Sequence, residues 1–137
     1  MNRTSGGMSN SVLAVIMLTY CSASLLHFVH NAVYLHDYPN LPVWLTANGV
    51  YMSWLAVTAV GAVGYWIYRG RFRQFGLIII AVYAGLGFAG LDHYAVAPVA
   101  AHTTMMNATI LMEVTAAAVL LLYVFRALLF AGEKTRR

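Results

Sequence analysis

Apolar residues fill four long stretches of this chain, at roughly 11–34, 43–68, 75–94 and 99–130, with short polar segments between them. A helix needs about 20 apolar residues to cross the hydrocarbon core of a bilayer. Each stretch meets that length, and a run this long and this apolar exceeds a strand. The pattern predicts an all-α integral membrane protein, a four-helix transmembrane bundle. The stretches use up nearly the whole chain, so residues 1–137 are expected to form one domain with no separate soluble unit.

Within the apolar stretches the polar residues fall on stripes. In the first, His27, His30, Asn31 and Tyr34 are spaced i, i+3, i+4, i+7. In the fourth, His102, Met106, Thr109 and Glu113 are spaced i, i+4, i+7, i+11. Both spacings keep to one side of a helix. At 1.5 Å per residue, Glu113 is expected about 16 Å below His102. Asp92 and His93 close the third stretch. The second supplies no ionisable group in its interior and reads as a scaffold, with Asn48 near its outer rim. Ionisable groups at bilayer depth are costly and mark function. The stripes are therefore expected to converge in a pocket near one membrane face.

Charge sets the orientation. Arg3 precedes the first stretch, Arg69, Arg71 and Arg73 join the second to the third, and Arg126, Lys134, Arg136 and Arg137 close the fourth. The other two connections, 35–42 and 95–98, hold no Lys or Arg. Cationic loops stay in the cytoplasm. Both termini are thus expected to be cytoplasmic, and the polar pocket opens outward, to the periplasm of a bacterial inner membrane. The small size of the chain is the ground for a bacterial source. Tyr34, Tyr38, Trp44, Tyr51 and Tyr94 read as an outer aromatic belt, and Tyr65, Trp66, Tyr68 and Tyr123 as an inner one.

Composition agrees. Of 137 residues, 61% are hydrophobic and only 9% charged, against about 25% charged in soluble domains. The net charge of +4 sits at helix ends, where it meets lipid headgroups, and does not point to nucleic acid. The lone Cys21 excludes an intrachain disulfide. The first stretch is longer than the apolar core of a signal peptide and is expected to be retained. Pro39 and Pro42 order the first outer loop, and Pro98 is expected to open the fourth helix. Gly85, Gly87 and Gly90 allow close helix packing, or room for a flat cofactor.

Imidazoles with carboxylates are a ligand set for zinc, iron or copper. The expected metal ligands are His30, His93 and His102, with Asp92 as a fourth ligand or as a group that orients an imidazole. The Glu-x-x-His pairs of di-iron bundles are missing, so a mononuclear site fits better. Glu113 and His27 lie deeper and are the expected catalytic acid–base pair. His36 reads as a solvated loop residue. Met105, Met106 and Met112 read first as fillers, although Met106 shares the His102 stripe and keeps copper open.

The leading expectation is a metal site near the outer face, serving either an enzyme on a lipid-soluble substrate or a metal-handling protein. A second is haem b held by two histidines, with a quinol as partner. A third is a non-catalytic subunit of a homo-oligomer or larger membrane complex, its polar stripes only joining helices. A fourth is ion transport, which the inner half of the bundle does not support with a matching acid or histidine.

Overall fold

The computed structural model describes residues 10–134 of the chain, with side chains as far as residue 130. Arg3, Arg136, Arg137 and the Lys134 side chain, which carry part of the charge asymmetry, lie outside what it describes. Four helical segments are long and apolar enough to cross a membrane: Asn10–Val33, Ala47–Arg69, Arg73–Val96 and Thr104–Phe130. No strand occurs among the described residues.

The first segment is α1 (Asn10–Val33) and the second α2 (Ala47–Arg69). The third begins as α3 (Arg73–Leu86), tightens to a 3-10 helix at Gly87–Leu91, and ends as α4 (Asp92–Val96). The last is α5 (Thr104–Lys134). Packing joins α1 to α2, α2 to α3, α3 to α5 and α5 back to α1, which closes a four-membered ring. Short connections make neighbours antiparallel. The loops 34–46 and 97–103 therefore share one end, and the Arg69–Arg73 turn lies at the other.

Two helix starts differ from expectation for reasons of capping. α2 begins at Ala47 and not near residue 43, because Leu45 N–H donates to Pro42 C=O in a turn and the Thr46 side chain then accepts from Gly49 N–H. Pro98 does not open the last helix. It is extended (φ −64, ψ 154) and leads into a 3-10 turn at Val99–Ala101. α5 starts only after Thr103, whose hydroxyl accepts from Met106 N–H at 3.2 Å.

Small residues set how closely the helices approach. A methyl group at Gly76 would meet the backbone of Tyr68, so α2 and α3 touch main chain to main chain. In the third segment, Gly87 lies against α5: a Cβ there would come 2.7 Å from the Ala117 methyl. Three residues on, a Cβ at Gly90 would come 3.4 Å from Glu113 Oε2. Residues three apart eclipse in a 3-10 helix, so its tightening aims both glycines at α5. The lower core is apolar, built on Leu13, Tyr20, Tyr68, Ile80, Leu120 and Val124. The polar cluster lies above it.

Candidate functional site

α1 turns Tyr20, Ser24, His27 and Asn31 inward, and all are buried. At about 100° per residue these positions stay on one narrow stripe, whereas His30 lies well to its side. His30 is half-buried. The same geometry separates Asp92 from His93. Adjacent helical residues do not face the same way, and while His93 is buried, Asp92 is exposed. His102 precedes α5 in extended backbone (φ −96, ψ 143) and is also buried. Glu113, 2% exposed, sits nine positions into α5. His36 is exposed in the loop, as expected.

The structure thus gathers His27, His93, His102 and Glu113 and leaves Asp92 outside. His27 and His93 have ring centroids 5.4 Å apart, and His93 and His102 have theirs 6.1 Å apart. His30 does not join this row. Its Nδ1 lies 2.9 Å from the hydroxyl of Tyr38, whose ring packs against His30, His93 and His102. Among the described residues, no three His, Cys, Asp or Glu side chains are placed to hold one metal ion.

Tyr38 does not lie in the outer aromatic belt that its position predicts. Instead it is buried, 4.9 Å from His93 and 6.4 Å from His102 between ring centroids, on a bed of Met106 and Ile110. The loop 34–46 folds it in. Asn40 takes a left-handed conformation (φ 58), which asparagine tolerates better than most residues, and its amide donates to Val96 C=O at 2.9 Å. This strap ties the loop to the end of α4. Burial raises the Tyr38 phenol above its ordinary value of 10.0, so at neutral pH it is a hydroxyl able to donate to His30. Asn40→Ala removes the strap and is expected to cost about 1–2 kcal/mol. Faster hydrogen exchange across residues 34–46 would register the opening, and unchanged exchange would count against the strap.

Hydrogen-bond bookkeeping then assigns protons. Pro98 C=O can only accept, so His102 Nδ1–H donates to it at 3.1 Å and Nε2 keeps a lone pair. That Nε2 is buried and has no partner. His93 Nε2 lies 3.3 Å from the Asn31 amide, and its Nδ1 has no partner. A half turn of the amide, which exchanges groups of nearly equal shape, lets Asn31 Oδ1 accept Nε2–H and leaves His93 Nδ1 as a second lone pair.

Deeper down, Thr109 donates to Met106 C=O at 3.0 Å, so its oxygen accepts from His27 Nδ1–H at 3.4 Å. His27 Nε2 is left facing Glu113 Oε2 at 3.7 Å, and that oxygen has no hydrogen-bond partner. Two bare acceptors would repel each other in this buried place. A single proton held on one of them resolves the conflict, and a small closing movement would bring the pair to hydrogen-bond distance.

The chain matches no family model, no curated protein and no solved structure.

Proposed function

We propose that the protein binds a transition-metal ion between His93 and His102, near the outer face of a bacterial cytoplasmic membrane, with both termini inside. The observation that carries this reading is a pair of buried imidazole nitrogens, from different segments, left without hydrogen-bond partners. Buried polar atoms are ordinarily satisfied. His102 has the second feature of a ligand: its other nitrogen is fixed by a backbone carbonyl, which sets the tautomer and aims the free lone pair. The arginines at 69, 71, 73 and 126 favour the opposite end as cytoplasmic.

His30 and Asp92 are not needed as direct ligands in this reading. His30 holds Tyr38 over the site. His27 and Glu113 form the acid–base pair beneath it, with one proton to give or take. A groove of about 430 Å³ between α1 and α5 runs beside the cluster, with walls that include Leu26, Val29, Met105 and Met112. It offers a lipid-soluble molecule an apolar seat against His30 and Thr109, at the edge of the cluster. Haem held by His27 or His30 together with His93 or His102 fits less well: Tyr38 packs against His30, His93 and His102, and a macrocycle among them would have to displace it.

The test is elemental analysis with a visible spectrum on detergent-purified full-length protein. Stoichiometric zinc, iron or copper is expected, lost in the His93→Ala/His102→Ala double variant that still elutes as the parent does. A Soret band would replace the metal-ion reading with haem. Protein that takes up no metal after exposure to all three ions would end it, and would favour a structural role in a larger assembly.

A further inference from the structure

The unpartnered donors at the outer end of the cluster are all neutral. They are His102 Nε2 and, with the Asn31 amide turned so that its Oδ1 accepts from His93 Nε2–H, His93 Nδ1. Met106 supplies a thioether and shares Tyr38 as a neighbour with both imidazoles. Met106 is 2% exposed, and its sulfur accepts from Thr103 N–H at 3.4 Å, directly beside His102 in the chain. The carboxylates stand off. Asp92 and Asp37 are exposed. Glu113 lies behind His27, beneath the Gly90 backbone.

Charge and ligand number then decide between metals. A divalent ion here would bring two charges into a buried place with no buried carboxylate against it, Asp92 beside His93 in the chain being exposed, and uncompensated buried charge is expensive. Zinc also asks for four donors in a tetrahedron, and the described residues offer no set of even three from His, Cys, Asp and Glu. A monovalent copper ion halves the charge, accepts soft thioether and imidazole donors, and is stable with two donors in line. The spacing agrees. With metal–nitrogen bonds of about 2 Å, two imidazoles on opposite sides of one ion have centroids roughly 6 Å apart. His93 and His102 stand at 6.1 Å, and a linear pair leaves their 78° interplanar angle unconstrained.

We propose that the ion is Cu(I), held by His93 and His102 with Met106 as a weaker third donor. The inference rests on the metal reading above and narrows it. Tyr38 and the strapped loop exclude water from the ion on its outer side.

The full-length chain in detergent, kept anaerobic, is titrated with Cu(I) supplied as its bicinchoninate complex, and in parallel with Zn(II) against a zinc-binding dye. One Cu(I) per chain is expected, removed from the dye complex. His93→Gln and His102→Gln are each expected to weaken it about a hundredfold or more, and Met106→Leu about tenfold, with no effect of Met106→Leu on Zn(II). X-ray absorption of the loaded parent counts ligands without any variant. Two short nitrogen neighbours, with or without a longer sulfur, are expected. Four nitrogen or oxygen neighbours would overturn the proposal. Zn(II) bound more tightly than Cu(I) would also overturn it, while leaving the metal site itself standing. Binding of neither ion would overturn the Cu(I) proposal and leave the metal site to be decided by iron in the elemental analysis.

Discussion

Valine at position 76 is expected to prevent the bundle from folding, whereas alanine at position 85 is expected to leave it intact or slightly firmer. Both changes add a side chain to a helical glycine of the third segment. At Gly76 the new Cβ would overlap the main chain of Tyr68, and backbone cannot step aside as a flexible side chain can. Tyr68 is itself pinned: its hydroxyl donates to Asn10 Oδ1 at 2.9 Å and accepts from Arg73 Nη2 at 2.7 Å. Overpacking usually costs about 1–3 kcal/mol. A backbone clash at the closest helix pair belongs at or above the top of that range. At Gly85 nothing lies within 4 Å of the added carbon, and alanine gains about 0.5–1 kcal/mol of helix propensity. Unfolding in graded SDS, followed by circular dichroism, separates the two. Equal stability of the variants would show that α2 and α3 do not meet at this distance.

The second large effect belongs to His27 and Glu113. Removing one member of a buried pair that shares a proton leaves the other without a hydrogen-bond partner, at a cost of about 1–3 kcal/mol. Glu113→Leu and His27→Leu are each expected to fall in that range, because both side chains are only 3% exposed. The double variant removes both polar groups and is expected to recover part of the loss. Polar contacts between membrane helices couple by about 0.6 kcal/mol on average, so a coupling above about 1 kcal/mol would mark this pair as one unit sharing a proton. Additive losses in the same SDS titration would mean that the two groups act separately, and the acid–base role would go with them.

Some of this was readable in the residues alone. The inward direction of His27 and Asn31 follows from helical spacing with Ser24 and Tyr20. The divergence of Asp92 from His93 was readable too, since neighbours on a helix point apart. Tyr38 left no such trace. Nothing in the run His36-Asp37-Tyr38-Pro39 separates a ring that folds inward from one that lies in the interface. Its position depends on Asn40 reaching Val96, a contact between residues 56 apart in the chain.

The sequence by itself determined four apolar helices, their polar stripes and the separation of arginines from histidines, because length, period and charge are local properties of the chain. Tertiary structure alone decided which imidazoles meet, that Tyr38 covers them, and which nitrogens are left without partners. Those outcomes depend on loop closure and on the tight approach at Gly87 and Gly90, and both are settled only when distant segments pack together.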